Sequence, residues 1–184
     1  MRVDAQQNRG RLVEAAIEVI LEVGGAPSRE SIAARAGVGI GTLYRHFPNQ
    51  EDLLQAVAHH VLHDTINAGE NAMTHAENGA AALRQYMHLA IDHGLGVLNI
   101  IYGLLESAQW PEQRERAESL LRAIVDRARS EGLLRSDVTA SDVGFAIIRS
   151  CRPLGVGIPL EEERALAHRH VDIHVDGLLA PEGR

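Results

Sequence analysis

Apolar residues recur at spacings of three and four along almost the whole chain, and this period indicates helices rather than strands. No run of alternating Val, Ile, Thr and aromatic residues lies between turn residues, so strand signals are nearly absent. No stretch of the sequence repeats another. The pattern therefore predicts an all-α protein of about nine helices.

Glycine, proline and capping residues set the predicted helix boundaries. Gly24 and Gly37 end the first two helices, Pro48 ends the third, and Ser28 and Asn49 can cap the second and fourth. A capped loop over 137–142 and a Gly/Pro-rich break over 153–159 separate the last three helices. The nine predicted helices span residues 9–23, 29–36, 39–47, 50–74, 79–95, 96–106, 110–132, 143–152 and 160–179.

The composition of the 184 residues is that of a folded globular chain, with 45% hydrophobic and 23% charged residues. A single cysteine, Cys151, excludes a disulfide framework and a Cys-rich zinc site. The longest stretch without charge, 94–105, is shorter than the roughly 20 residues that cross a bilayer. Residues 1–7 lack the apolar run of a secretory signal. We therefore expect a cytoplasmic protein without a membrane partner.

The formal net charge of −7 argues against a nonspecific nucleic-acid binder, but the charge is unevenly divided. Residues 1–50 carry six arginines and five acids, whereas residues 51–184 carry twelve arginines and twenty acids. The positive charge therefore lies toward the N-terminus.

Two short predicted helices, 29–36 and 39–47, are joined by a tight turn that contains Gly37. This arrangement is typical of a helix-turn-helix, whose second helix lies in the major groove of DNA. Ala33, Ala36 and Val38 are small enough for the two helices to cross closely. Leu43 and Phe47, four residues apart, are expected to fill the small core beneath them. The N-terminal segment, 1–49, is thus predicted to be a three-helix DNA-binding domain.

Residues 32–47, with the sequence IAARAGVGIGTLYRHF, closely resemble the motif of the tetracycline-repressor (TetR) family of bacterial regulators. The resemblance covers about residues 9–54, from Arg9 and Leu12 in the first helix to Leu53 and Leu54 in the fourth. Beyond it, only the helical layout and residues 132–139, GLLRSDVT, are similar to the family. The resemblance implies a DNA-binding transcriptional regulator, most often a repressor.

The exposed side of the third helix carries the side chains expected to contact DNA. Their donors can reach phosphates or base edges, while Gly39 and Gly41 let the backbone approach the duplex and Ile40 can contact a thymine methyl. Only Thr42 and Arg45 are expected to read bases through hydrogen bonds, so DNA shape is expected to supply part of the specificity. At the start of the fourth helix Gln50 replaces the usual lysine or arginine, which keeps a phosphate hydrogen bond but loses its charge. The predicted DNA-binding residues are Arg9, Ser28, Gly39, Ile40, Thr42, Tyr44, Arg45, His46 and Gln50.

Tyr44 and Arg45 each have a second interpretation. Tyr44 is also compatible with a half-buried aromatic whose hydroxyl is in water, and Arg45 with a solvated surface charge.

The resemblance implies that residues 50–184 form a helical effector-binding and dimerisation domain, with a homodimer built through the last two helices. A two-fold dimer suits a pseudo-palindromic operator, because its recognition helices lie one DNA turn apart. A small-molecule effector would then favour the form with wrongly spaced recognition helices and release the DNA.

Candidate effector contacts lie on the central helices and on Arg149 of the eighth. Apolar residues at helical spacing are usually core, so His88, Tyr102 and Trp110, which add a polar group to an apolar wall, are the better candidates. Arg149 is equally suited to an acidic effector and to a carboxylate across the dimer. The predicted effector-binding residues are Met87, His88, Ile91, Leu98, Tyr102, Leu105, Trp110, Leu121 and Arg149.

Histidine pairs leave a metal hypothesis open. His59 and His63, and likewise His170 and His174, lie four residues apart on one helical face, but two nitrogens do not complete a site. We therefore predict no metal and no cofactor, with a metal-responsive regulator, or a redox-responsive one through Cys151, as the alternative. No residue spacing proposes an enzyme. A helical protein-interaction module without a DNA role is a further alternative, although it leaves residues 37–47 unexplained.

Overall fold

The computed structural model describes residues 2–105, 110–153 and 157–180, and the described chain is all-helical. One isolated antiparallel bridge, between Leu134 and Leu179, is its only β-type pairing. The all-α prediction is confirmed. The helices of these residues are α1 (Arg2–Val23), α2 (Arg29–Ala36), α3 (Ile40–His46), α4 (Gln50–His75), α5 (Gly79–Asp92), α6 (Val97–Ile101), α7 (Pro111–Ser130), α8 (Ala140–Cys151) and α9 (Leu160–Leu178).

The predicted caps form at the helix ends. The N–H of Ser31 donates to Ser28 Oγ at 3.0 Å, and the N–H of Asp52 donates to Asn49 Oδ1 at 2.7 Å. Gly37 adopts a left-handed conformation with φ of 64°, which glycine reaches without a Cβ clash. Local sequence signals therefore define the boundaries of α2 and the start of α4.

Several helices differ in length from the prediction. α1 begins at Arg2 because no proline precedes Gly10, and one helical glycine costs only about 1 kcal/mol. α5 ends at Asp92 because Gly94 turns the chain with φ of 71°. α8 begins three residues before the predicted start, since Thr139 and Asp142 form a reciprocal capping box. α6 is only five residues long, and the predicted end of this segment at residue 106 lies outside the described residues.

Two groups of buried side chains form the core, and α4 belongs to both. The first joins α1, α2, α3 and α6 to the N-terminal half of α4, with Leu12, Leu43 and Phe47 fully buried. The second joins α5, α7, α8 and α9, and Ile66 in the C-terminal half of α4 packs into it. α4 therefore connects the N-terminal helices to the rest of the chain.

Glycines allow two close approaches between backbones. A Cβ at Gly79 would overlap the backbone nitrogen of Ala128, and a Cβ at Gly96 would overlap the carbonyl of Cys151. The start of α5 thus lies directly against α7, and the start of α6 against the end of α8.

Among the described helices, none combines the length and the apolar character that a membrane crossing requires.

Candidate nucleic-acid interface and effector domain

The turn between α2 and α3 is fixed by its backbone. The N–H of Val38 donates to the carbonyl of Ala33 at 3.0 Å, and the N–H of Gly37 donates to that of Ala34 at 3.1 Å. Leu43 and Phe47 are buried on the inner side of α3, as the sequence predicted. Since the inner side is fixed in the core, the opposite side of α3 faces solvent.

The outer side of α3 presents most of the predicted DNA contacts. Ile40 is 39% exposed and Tyr44 is 48% exposed, although both are large side chains. Gly39 and Gly41 are exposed, and a Cβ at either would meet nothing within 4 Å. A duplex can therefore approach the backbone here without obstruction.

Arg45 is folded back along its own helix. Its Nη2 donates to Thr42 Oγ1 at 3.0 Å and its Nε donates to the carbonyl of Gly41 at 3.3 Å. The structure thus brings together the two side chains predicted to read bases. The Thr42 hydroxyl still has its own O–H to donate and the Arg45 guanidinium has further N–H groups, so this contact leaves hydrogen-bonding groups of both side chains for a base edge.

Arg29 supports the C-terminal end of α3, a role that the sequence did not indicate. Its guanidinium lies 4.4 Å from the centre of the Tyr44 ring, and its Nη2 donates to the carbonyl of Phe47. Because α2 and α3 bring these residues together across the turn, no helical period relates Arg29 to Tyr44. Arg29 therefore orients Tyr44 by a cation–π contact.

The remaining predicted DNA contacts lie around this face. The Arg9 guanidinium lies 5.0 Å from the centre of the Phe47 ring, and His46 is half-buried beside it. Gln50 is exposed at the start of α4. Ser28 Oγ accepts the hydrogen bond that caps α2, so its hydroxyl already has a structural role.

Arg35 joins α2 to α1 instead of facing solvent alone. Its guanidinium nitrogens lie 2.9 Å from a carboxylate oxygen of Glu18 and 2.7 Å from one of Glu22. The hydrogen bond from Arg35 holds the pKa of the Glu22 carboxyl below its usual value. The charge of Arg35 is therefore neutralised within the protein, and Arg9, Arg29 and Arg45 provide the positive charge near α3.

The predicted effector-binding residues do not line one cavity of the described structure. Met87 and Ile91 are buried in the second core group, and Leu121 packs against it. Leu98, Leu105 and Trp110 instead pack against the first. The helical spacing of these residues reflects two separate cores, because α5 and α7 face one group and α6 faces the other.

The polar candidates have varied surroundings. Trp110 Nε1 donates to Gln55 Oε1 at 2.9 Å, and His88 contacts His168 and Asp172 of α9. Tyr102 is 62% exposed and Arg149 is also exposed, so neither is enclosed in the monomer.

Two clefts large enough for a small molecule adjoin α1. One of about 760 Å³ lies between α1, the end of α3, α4 and α7, and Arg9, His46, His59 and Arg116 are part of its lining. The other, of about 1030 Å³, lies between the end of α1, α6 and the start of α9. Sequence reasoning did not identify these clefts, because each depends on helices far apart in the chain.

No group of three or more His, Cys, Asp and Glu side chains suited to a metal ion occurs in the part of the chain that the structure describes. The pairs His59 with His63 and His170 with His174 thus stay pairs there. Burial raises the pKa of the Cys151 thiol to about 12. The thiolate needed for redox chemistry is therefore disfavoured.

The fold and this face define a helix-turn-helix protein with a larger helical domain. Residues 12–57 match the model of a family described as bacterial regulatory proteins, tetR family. The resemblance stated from the sequence is confirmed over this segment.

Similar proteins extend the comparison beyond this domain. An uncharacterised HTH-type transcriptional regulator of Mycobacterium tuberculosis is 30% identical over 119 residues, 63% of this chain and 61% of that protein. The HTH-type transcriptional repressor LfrR of Mycolicibacterium smegmatis is 38% identical over 98 residues, 53% of this chain and 51% of LfrR. The chain thus spans about three fifths, or less, of the length of these curated relatives.

A solved structure covers almost the whole chain. A TetR transcriptional regulator from Streptomyces coelicolor superposes with a TM-score of 0.70 and 29% sequence identity, covering 95% of this chain and 99% of that one. The helical arrangement after α4 is therefore shared as well.

Proposed function

We propose that this protein is a DNA-binding transcriptional regulator, a repressor that a small-molecule effector releases from a pseudo-palindromic operator. The observation that carries the proposal is the α2–turn–α3 unit, whose outer side leaves Ile40, Tyr44 and two glycines open to a duplex. The named relatives are transcriptional regulators, and LfrR is named a repressor.

DNA contact would occur through α3 in the major groove, with phosphate contacts at its flanks. Tyr44, whose ring Arg29 holds, would contact a phosphate, and Arg45 and Thr42, which lie side by side, would contact base edges. Arg9 and Gln50 flank this helix on α1 and α4. Ser28 would contribute by capping α2.

A homodimer would form through α8 and α9. Phe145 and Ile148 are exposed three residues apart on α8, and Leu166 and Ile173 are exposed seven residues apart on α9, so each helix presents apolar side chains on one side. Large apolar side chains grouped in this way are typical of a protein interface. In a two-fold dimer the same face would meet its copy, which sets the spacing of the two α3 helices.

An effector would act through α1 and α4. Both large clefts are lined in part by α1, and the smaller one also by the end of α3 and by α4, so a molecule there would contact three helices around the proposed DNA-binding face. A solved structure of LfrR, which aligns with 91% of this chain at 24% identity, is a complex with proflavine. An effector that prefers one spacing of the α3 helices would lower operator affinity by its differential affinity for the two forms.

The test is a selection of random duplexes by the purified protein near physiological salt, followed by sequencing. An enriched inverted repeat is the expected result. Arg45→Gln should then bind the selected site more weakly and tolerate other bases at one position of the site, whereas Arg122→Gln, a change at an exposed α7 arginine, should do neither. If no duplex is enriched at any salt concentration, the proposed DNA role is wrong.

A further inference from the structure

His88 of α5 and His168 of α9 meet in an arrangement that the proposed DNA-binding role does not use. Their Nδ1 atoms lie 2.7 Å apart, while the ring centres are 4.9 Å apart and the ring planes differ by 21°. Since the nitrogens are much closer than the centres, the rings meet edge to edge. This is the geometry of a hydrogen bond between two nitrogens.

The outer nitrogen of each ring faces a carboxylate. His88 Nε2 lies 3.0 Å from Asp172 Oδ1, and His168 Nε2 lies 3.0 Å from Asp92 Oδ1. Arg84 and then His88 hold the pKa of the Asp172 carboxyl below its usual value. An ionised carboxylate only accepts hydrogen bonds, so both Nε2 atoms must carry hydrogen.

These contacts determine how many protons the two histidine rings hold. A neutral imidazole has one N–H, and each ring places it on Nε2, which leaves both Nδ1 atoms as lone pairs. Two lone pairs 2.7 Å apart repel, whereas one added proton between them makes a third hydrogen bond. With two added protons each Nδ1 would carry an N–H, and these two donors would again repel. The contact is therefore complete when the two rings hold three protons.

We propose that His88 and His168 form a proton-binding site in which one shared proton fastens α9 to α5, so that the contact between these helices depends on pH. Histidine is the side chain that ordinarily changes charge between about pH 5 and 8, so this is the range to examine. When the shared proton is lost, the Nδ1 atoms repel and α9 loosens from α5.

Charged groups of both helices surround the site. No ionisable side chain of α4, α7 or α8 forms a hydrogen bond or ion pair with either ring among the described contacts. Asp172 and Asp92 bind the two rings, and Arg84 binds Asp172 and Asp176. Arg164 lies one helical turn before His168 on α9. These charged groups are Arg84 and Asp92 on α5, and Arg164, Asp172 and Asp176 on α9.

A proton fits the gap better than a metal ion. Two nitrogens bound to one tetrahedral zinc ion lie about 3.3 Å apart, because each Zn–N bond is about 2.0 Å. The two Nδ1 atoms are closer than this. Within the described residues, no third His, Cys, Asp or Glu joins them in a group that could hold a metal.

The consequence for regulation rests on the proposed function. α9 carries Leu166 and Ile173 of the proposed dimer face, so a loosened α9 would weaken the dimer as the shared proton leaves. The proton site itself requires neither the dimer nor DNA.

The experiment follows the histidine ring nitrogens by NMR from about pH 5 to 9 in the full chain, with zinc measured in the same samples. In the wild-type protein we expect the signals of His88 and His168 to change together in two steps, as coupled groups do. In His168→Gln the amide N–H can donate to His88 Nδ1 without an added proton, so His88 should titrate alone in one step. His59→Gln, a change at an exposed α4 histidine, is the matched control and should keep the two steps.

Hydrogen exchange of the α9 amides gives a second measurement on the wild-type protein alone. Protection of Val171 and Val175 should be greatest in the middle of this pH range. It should fall about tenfold on either side, the effect of losing one charge-assisted hydrogen bond. Independent one-step titration of both rings, flat α9 protection or a bound zinc ion would each overturn the proposal. DNA selection tests the regulator separately, so the failure of one does not imply failure of the other.

Discussion

Tyr44 lies between solvent and the Arg29 guanidinium, so its ring is held in place before any DNA binds. Its ring takes part in the folded turn, as the half-buried interpretation requires. The phosphate contact of its hydroxyl stays a prediction.

Two substitutions at Tyr44 separate these parts. Tyr44→Phe keeps the contact with Arg29 and removes the hydroxyl, so duplex binding should weaken by about tenfold, the effect of one charge-assisted hydrogen bond. Tyr44→Ala removes the ring as well and should weaken binding further. Helical content and oligomeric state should stay unchanged in both, as measured by circular dichroism and sedimentation. Unchanged DNA affinity in Tyr44→Ala would contradict the placement of α3 on the duplex.

Cys151 is expected to be unreactive in the folded protein. Burial raises its pKa to about 12, so the thiolate fraction near pH 8 is small and rises only as the pH approaches that value. Alkylation by iodoacetamide at pH 8 should therefore be slow in the native protein and fast in urea, where the pKa returns to its ordinary value. Rapid alkylation of the native protein would restore the redox-responsive alternative.

At the scale of the helices, glycine decides how closely two elements approach. Gly79 begins α5 directly against the backbone of Ala128 in α7, and the N–H of Gly79 donates to Glu131 Oε2 at 2.5 Å. A backbone neighbour cannot move aside as a flexible side chain can. The α5–α7 packing therefore depends on the missing Cβ.

Gly79→Ala should destabilise the protein by about 1–3 kcal/mol, the usual cost of overpacking. Gly10→Ala is the matched control, because Gly10 lies inside α1 with nothing within 4 Å of an added Cβ. There alanine should stabilise by about 0.5–1 kcal/mol through helix propensity. Urea unfolding measures both, and a neutral Gly79→Ala would show that α5 and α7 can separate at little cost.

At the scale of the whole molecule, the exposed apolar face of α8 and α9 is the main feature that a monomer does not explain. Ile173→Glu should convert the proposed dimer to a monomer, because a buried unpaired carboxylate costs several kcal/mol at an interface. Val23→Glu changes an equally exposed apolar residue at the end of α1 and should leave the dimer intact. Sedimentation at several concentrations distinguishes them. If both variants sediment as the wild type does, the dimer does not use this face.

Duplex binding follows from the same arrangement. The Ile173→Glu variant keeps its α2–turn–α3 unit, yet it should lose most of its affinity for an inverted repeat, since one half-site binds weakly.

The sequence predicted the helix ends that are set by capping residues. Ser28, Gly37 and Asn49 marked helix ends because capping depends on residues within one turn. The surroundings of the effector candidates could not be predicted in this way. Met87 and Leu98 have the same helical spacing and apolar character but belong to different core groups, and the period does not state which neighbour a face meets.

By itself the sequence determined the helices, most of their ends and the resemblance of residues 9–54, because hydrogen bonds within a helix and short turns depend on nearby residues alone. Only the tertiary structure decided that Arg29 supports Tyr44, that Arg45 and Thr42 bind each other, and that His88 meets His168 across 80 residues. These contacts depend on how helices cross, and crossing is set by the packing of the whole core rather than by any one segment.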